Sequence, residues 1–142
     1  LPELEMQTTA CWWTIPESIE AAWPKDQLQD AMVGLCHLMR AIAPLNLMCA
    51  PSDIAVVYHV RDPFTQRPTL YFYDCVEGGL GLSDHVYETD RLLFQEALER
   101  LDECPCEGGC PSCVGAAVGP NAKDALRALL QTLLAGEDAP QE

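Results

Sequence analysis

Four cysteines lie within the ten residues 104 to 113, and this cluster constrains the fold more than any other feature of the sequence. The spacing is Cys-x-Cys-x3-Cys-x2-Cys, formed by Cys104, Cys106, Cys110 and Cys113. Structural zinc sites are closed by four protein ligands in a tetrahedron, commonly four thiolates. Gly108 and Gly109 favour the positive φ that such a tight reversal needs, and Pro105 and Pro111 stiffen the ligand-bearing stretches. The sequence therefore predicts one structural zinc ion at these cysteines.

Three other uses of the cluster are open at this stage. Disulfides would leave Cys104 and Cys106 in need of distant partners. An iron–sulfur cluster also takes four thiolates, usually from a loop with more room. A redox pair at Cys110 and Cys113 would account for only two of the four thiols. If zinc binds, four thiolates leave no position for water, so we expect a structural and not a catalytic metal.

The cluster is expected between two helices. Apolar periodicity predicts a helix over residues 83 to 103, with Ser83 as N-cap, and a last helix over 121 to 135. The expected core-facing residues are Val86, Leu93, Ala97 and Leu101 in the first and Ala122, Leu126, Leu129 and Leu133 in the last. Asn121 and Asp124 resemble a capping box at the start of the last helix. Little apolar sequence lies between the two helices, so the metal is expected to clamp this corner.

The first half of the chain predicts a small sheet and one long helix. Residues 7 to 15 favour a strand, and 54 to 60 with 69 to 75 favour an antiparallel hairpin. Residues 16 to 24 are expected to be a connection. Apolar residues step at helical spacing from about 26 to 43: Leu28, Met32, Leu35, Met39 and Ile42.

The helix over 26 to 43 has candidate ends and one internal glycine. Asp26 is the predicted N-cap and Pro44 the predicted end, while Gly34 either argues against the helix or marks a point of close packing. The fold prediction is α+β: a small antiparallel sheet, made of an N-terminal strand and a hairpin, packed by about three helices. The four-cysteine zinc site joins the last two helices. Residues 1–136 are expected to form a single zinc-binding domain, and 137–142 a frayed acidic tail.

Charge argues against direct nucleic-acid binding by this chain. Acidic residues outnumber basic ones by 22 to 8, which gives a formal charge of −14 over 142 residues. Nucleic-acid binding draws most of its affinity from Lys and Arg that neutralise phosphates. The basic residues form no stripe, although Arg61 and Arg67 could make a local contact. The absence of long apolar runs predicts no membrane span. The start at Leu1 has no signal-peptide pattern, and we expect a piece of a longer polypeptide.

The remaining cysteines favour a reducing compartment. Four of them stand alone among apolar residues: Cys11, Cys36, Cys49 and Cys75. A free thiol in such surroundings behaves as a small hydrophobic side chain. Together with a metal cluster this pattern fits the cytoplasm better than a secreted disulfide framework.

Three further features have weaker interpretations. The run Gly78-Gly79-Leu80-Gly81 could cradle a phosphate at a helix N-terminus, but a tight strand-to-helix turn is favoured because Glu77 and Asp84 would repel an anion. The dispersed histidines His37, His59 and His85 suggest core or surface positions more than ligands. Trp12, Trp13 and Trp23 could stack on bases. Because Trp12 and Trp13 are adjacent on a strand, at least one of them is expected in the core. The sequence shows no nucleophile arrangement at recognisable spacing, so this chain by itself is expected to be non-catalytic.

Two sequence runs together resemble a known family. They are Y71-F-Y-D-C-V-E-G-G-L-G-L82 and C104-P-C-E-G-G-C-P-S-C113, separated by a long predicted helix. The pair resembles the C-terminal zinc-binding domain of the MrfA-type DEAD/DEAH-box helicases, over most of the chain. Glu77 stands where the family commonly has proline. The resemblance implies that the four cysteines are zinc ligands and that the turn containing Asp74, Gly78, Gly79 and Gly81 is a family signature.

The resemblance also implies a parent protein. It would be a superfamily-two, ATP-dependent 3′-to-5′ DNA helicase associated with DNA repair, with its motor domains ahead of Leu1. This chain would then be an accessory domain that braces the motor domains of the same polypeptide or docks a protein partner, with DNA contact weak or local. The alternative is a free-standing acidic zinc adaptor for protein–protein interaction.

Overall fold

The computed structural model describes residues 10–15, 17–59, 61, 66–75, 82–115 and 121–135, with the backbone alone at residues 18, 82–88, 111 and 112. Three strands form one antiparallel sheet: β1 (Ala10–Thr14), β2 (Ile54–His59) and β3 (Thr69–Asp74). β3 lies in the centre, between β1 and β2. The predicted hairpin and N-terminal strand are therefore confirmed, and the α+β prediction with them.

The two adjacent tryptophans of β1 lie on opposite faces of the sheet. Trp13 is buried and packs edge-on against Phe72 of β3 and Phe94, with ring centroids 5.2 and 5.6 Å apart. Trp12 is half-buried beside Tyr71, at 5.8 Å. This is the alternation expected of a strand, so the prediction of one core tryptophan is confirmed.

Five α-helices occur in the described part of the chain: α1 (Glu17–Ala22), α2 (Lys25–Leu47), α3 (Leu82–Glu103), α4 (Pro111–Val114) and α5 (Ala122–Leu134). A short 3-10 helix at Pro51–Asp53 precedes β2. The prediction of a plain connection over 16 to 24 is wrong, because α1 lies there and buries Ile19 in the core. None of the described helices is both long and apolar enough to cross a membrane.

Both predicted ends of α2 are corrected by the structure. The helix begins at Lys25, and Pro24 takes the N-cap position without a side-chain hydrogen bond, so Asp26 is not the cap. Pro44 lies inside the helix, which continues to Leu47 and ends at Met48 in the left-handed conformation. A proline removes one backbone hydrogen bond. Burial of Pro44 and a hydrogen bond from the Cys49 N–H to the Pro44 carbonyl (3.1 Å) offset that loss.

The caps of the later helices also differ from the prediction. α3 begins at Leu82, so Ser83 is inside the helix and not its cap. Asn121 does occupy the N-cap of α5, but it makes no side-chain capping hydrogen bond there. Asp124 instead accepts a hydrogen bond from the Arg127 side chain at 3.1 Å, so the capping box is absent. The residue spacing of a capping box was present, but Arg127 competes for the carboxylate.

The predicted core faces are confirmed where their side chains are described. All five apolar residues named for α2 are buried, as are Leu93, Ala97 and Leu101 of α3. The inner residues of α5 are also buried: Ala122, Leu126, Leu129 and Leu133. Val86 of the predicted α3 face lies among the side chains that are not described. The buried residues form one cluster between the sheet and helices α2, α3 and α5.

The close packing predicted at Gly34 is confirmed. A Cβ at this position would lie 2.8 Å from Cδ2 of Leu126 and 3.6 Å from Cα of Val114. Gly34 thus lets α2 approach both α5 and α4. Since α4 carries one of the clustered cysteines, this contact connects the central helix to the cysteine cluster.

Candidate metal centre

The four clustered cysteines bring their sulfur atoms together in the structure. All four Sγ atoms lie within 4.8 Å of one another. The Cys104 sulfur is 3.5 Å from those of Cys106 and Cys110, and the Cys113 sulfur is 3.5 Å from Cys106 and 3.8 Å from Cys110. None of the eight cysteines forms a disulfide bond. The cluster is therefore a cage of four thiols contributed by one short segment.

The dimensions of this cage fit a zinc ion. A Zn–S bond of about 2.3 Å sets the edge of a regular sulfur tetrahedron at about 3.8 Å. Four of the six sulfur separations, at 3.5 to 3.8 Å, match that edge, and all six are within 4.8 Å. An iron–sulfur cubane interposes several iron and sulfide atoms and so holds its thiolates farther apart. Four thiolates are also the donor set that structural zinc prefers, so both chemistry and size agree.

One half of the site is a helical turn. Cys110 is the N-cap residue of α4, and its carbonyl accepts hydrogen bonds from the backbone N–H groups of Cys113 (3.1 Å) and Val114 (2.9 Å). Pro111 occupies the first helical position, where its fixed φ is already suitable and no N–H is needed. This turn places the sulfurs of Cys110 and Cys113 on the same side of the backbone.

The other half follows directly from the end of α3. The Cys104 N–H still bonds to the Arg100 carbonyl (3.2 Å), so the first cysteine continues the last turn of the helix. The chain then reverses at Gly109, where φ is +128° and an added Cβ would lie 3.1 Å from the Val114 side chain. Gly108 does not share this conformation, so the predicted positive φ applies to one glycine of the pair.

The cluster is attached to the core by more than the cysteines. Cys113 and Val114 are 3% and 2% exposed, and Val114 lies against α2 at Gly34. Gly115 follows with φ +61°, so close to His37 of α2 that an added Cβ would lie 2.8 Å from the imidazole Cγ. The expectation that little apolar material holds this corner is therefore wrong, since α4 itself supplies a buried contact.

Polar contacts join α3 to α5 beside the site. The Arg127 guanidinium of α5 donates to the Asp102 carboxylate near the end of α3 at 2.8 Å. Arg91, earlier in α3, donates to the Leu134 carbonyl at the end of α5. The two helices are therefore antiparallel, and the segment carrying the four cysteines connects the end of α3 to the region where α5 begins. This agrees with a site that joins the last two helices.

Sequence reasoning missed Lys123, which lies in the first turn of α5. The side chain is buried, at 4% exposed, and its ammonium donates to the carbonyls of Cys104 and Cys106, both at 2.7 Å. Its backbone N–H also donates to the Gly108 carbonyl at 3.0 Å. The only signal in the sequence is a lone lysine at the start of a helix, which ordinarily indicates an exposed residue.

Burial affects the protonation of the cluster in the absence of a cation. Removal of Cys113 from water raises the pKa of its thiol to about 12. A thiol with this pKa is protonated at neutral pH. Zinc is bound by thiolates, so a metal that enters the cage must displace the proton.

The other predicted site residues lie elsewhere or outside the described residues. Asp74 is fully buried at the end of β3, opposite Ile54 of β2, and does not belong to the cysteine cluster. Gly78, Gly79 and Gly81 lie outside the described residues, so their turn is not described. Among the side chains that are described, the histidines His37 and His59 are not part of the metal-ligating group.

Comparison with known proteins agrees with the geometry. The family model described as the MrfA Zn-binding domain matches residues 35–114, which include all four clustered cysteines. The chain is 33% identical to the uncharacterized ATP-dependent helicase YprA of Bacillus subtilis (strain 168) over 94% of its own length and 18% of that protein. It is 28% identical to the ATP-dependent helicase HRQ1 of Saccharomyces cerevisiae, over 81% of its length and 12% of that protein.

Solved structures show the same fold. A crystal structure of the DUF1998 helicase MrfA bound to DNA matches with a TM-score of 0.85 and 32% identity, over 94% of this chain and 18% of that one. A second, bound to DNA and AMPPNP, matches with a TM-score of 0.75 and 30% identity, over 92% and 16%. The chain thus spans less than a fifth of each of these helicases. By its sequence and by the geometry of its cysteine cluster, this chain belongs to the MrfA Zn-binding domain family.

Proposed function

We propose that this chain is the zinc-binding accessory region of an ATP-dependent DNA helicase, in which Cys104, Cys106, Cys110 and Cys113 bind one structural zinc ion. The observation that carries the proposal is the cage of four sulfurs, four of whose six separations have the edge length of a zinc tetrahedron. Four thiolates would close the coordination sphere, so the bound metal supplies folding energy and no Lewis-acid chemistry.

Metal content tests the ligand assignment. We expect one zinc per chain in the purified wild type and in Cys49→Ser, and its loss in Cys110→Ser. Cys49 is the matched control, because both cysteines are half-buried and outside any disulfide, but Cys49 lies outside the cluster. Iron in the wild type, or zinc retained by Cys110→Ser, would overturn the closed zinc site.

The charge of the region supports an accessory role over DNA binding. The formal charge is −14, and six of the eight basic side chains donate hydrogen bonds within the chain. They are Arg40, Arg61, Arg67, Arg91, Lys123 and Arg127. Basic groups engaged in this way are poorly placed to neutralise phosphates. We therefore propose that the motor domains of the same polypeptide are the main partner, that DNA is reached through them, and that the acidic surface is available to a protein partner.

Binding and unwinding measurements test this role. In fluorescence anisotropy, the isolated region should show no binding to a tailed duplex at physiological salt. In the full-length polypeptide, Cys110→Ser should impair unwinding more than Cys49→Ser does. Tight, salt-sensitive DNA binding by the isolated region would contradict the proposal.

The strongly acidic surface also favours a second candidate, a free-standing zinc adaptor that binds another protein. The full-length reading frame distinguishes the two, because a helicase carries Walker motifs upstream and an adaptor carries none. Eight cysteines without a disulfide bond support a reducing compartment such as the cytoplasm. DNA repair is the process that the family resemblance implies for the parent.

A further inference from the structure

Lys123 brings a positive charge into the interior, and its described acceptors are neutral. Its side chain is 4% exposed, and the two carbonyls of Cys104 and Cys106 are its hydrogen-bond acceptors. Among the ion pairs of the described residues, none involves Lys123. A buried ammonium costs several kcal/mol unless an opposite charge compensates it, and neutral carbonyls supply only part of that compensation. The position therefore calls for an anionic group close by.

The zinc-loaded cluster would be that anionic group. Four thiolates carry a charge of −4 and zinc +2, so a closed four-thiolate centre has a net charge of −2. The first turn of α5 adds a second favourable contribution, because the partial positive charge of a helix N-terminus stabilises a nearby anion. The Lys123 backbone N–H shows that this turn touches the cysteine segment, since it donates to the Gly108 carbonyl at 3.0 Å.

The lysine also holds the backbone of the tightest part of the site. The Lys123 ammonium donates hydrogen bonds to the carbonyls of residues 104 and 106, both at 2.7 Å. The tripeptide centred on Pro105 therefore curves around this one ammonium group. The sulfurs of the same two cysteines lie 3.5 Å apart. Hydrogen bonds that orient metal ligands from outside the coordination sphere typically account for about 10- to 100-fold in metal affinity.

We propose that Lys123 is a positioning residue of the zinc site, which serves as counter-charge to the zinc–thiolate centre and as a clamp on the Cys104-Pro105-Cys106 backbone. This inference rests on the proposed zinc site. It assigns to a buried lysine of α5 a role that is separate from those of the four ligands. It also makes the start of α5 part of the metal centre, although no ligand lies on that helix.

The test compares zinc release to a chromophoric chelator from wild type, Lys123→Met, Lys123→Gln and Arg127→Met. Methionine suits the buried position but removes the charge and the donors, and glutamine keeps a donor without the charge. Arg127→Met removes a half-buried cation one turn further along α5. We expect affinity to fall by about 10- to 100-fold for methionine, less for glutamine, and by less than about twofold for Arg127→Met.

Cobalt(II) substitution supplies a readout that loss of stability alone would not change. Removing the cation raises the energy of the thiolate donor orbitals, so the thiolate-to-metal charge-transfer band should move to longer wavelength in both Lys123 variants and stay unchanged in Arg127→Met. If Lys123→Met binds zinc as tightly as the wild type, the inference is overturned. If the charge-transfer band of Lys123→Gln does not shift, the role of Lys123 as counter-charge is overturned. A wild type that binds no zinc overturns the proposed zinc site itself.

Discussion

Replacing Cys113 with alanine should remove zinc from the protein, whereas the same replacement at Cys36 should leave the metal bound. The two side chains are matched. Cys113 is 3% exposed and Cys36 is 2% exposed, both thiols are free, and burial raises the pKa of each to about 12. They differ in position, because Cys113 belongs to the four-sulfur cluster and Cys36 lies within α2. Any difference between the two variants therefore reports on the metal.

The magnitude follows from what each substitution removes. Loss of one buried sulfur costs about 1–2 kcal/mol from lost burial and the cavity left behind, and this applies to both variants. Structural zinc binding contributes about 10–16 kcal/mol in small zinc domains, so one ligand of four accounts for about 2.5–4 kcal/mol. At about 1.4 kcal/mol for each tenfold change, Cys113→Ala should weaken zinc binding by roughly two to three powers of ten.

The assay is urea denaturation of each purified variant with and without a chelator, together with zinc content by elemental analysis. Wild type and Cys36→Ala should each hold one zinc and lose stability when the chelator is added. Cys113→Ala should hold little zinc, and its denaturation midpoint should be low and insensitive to the chelator. If both alanine variants kept one zinc and lost the same stability, the assignment of Cys113 as a ligand would be refuted.

The further predictions concern two glycines at close helix contacts and two cysteines outside the cluster. Gly115→Ala should cost about 1–3 kcal/mol of unfolding free energy, because φ is +61° and the new Cβ meets the His37 ring. Gly34→Ala should cost less, because a gain of about 1 kcal/mol in helix propensity offsets the close contact with the end of the Leu126 side chain. Thermal denaturation that showed Gly34→Ala to be the more destabilising of the two would contradict this. In the zinc-loaded protein iodoacetamide should label Cys49 faster than the buried Cys36, and mass spectrometry showing equal rates would contradict the burial of Cys36.

Local patterns in the sequence were sufficient for the four-cysteine cluster and for most helix faces. The spacing of Cys104, Cys106, Cys110 and Cys113 confines four sulfurs to one short loop, and a loop that short brings them together whatever surrounds it. The apolar faces of α2 and α5 follow from the 3.6-residue period, which is also a local property. The strands of the hairpin are close in sequence, so their pairing was predictable too.

Predictions at helix ends succeeded less well, because an end depends on what the neighbouring chain offers. Pro44 was expected to stop α2, but it is buried and the helix continues to Leu47, with the Pro44 carbonyl bonded to the Cys49 N–H. Asp124 was expected to cap α5, but Arg127 competes for its carboxylate. In each case the helix end was set by a contact with other residues, which the helix propensity of the residue itself does not include.

The sequence by itself determined that this chain has a four-cysteine cluster between two helices, because both the spacing and the periodicity act over a few residues. Only the tertiary structure decided what surrounds that site. The antiparallel packing of α5 on α3 brings Lys123 to the carbonyls of Cys104 and Cys106, which precede it by 19 and 17 residues. Burial is a property of packed elements and not of a residue type, so a lysine that ordinarily points to water became part of the metal centre.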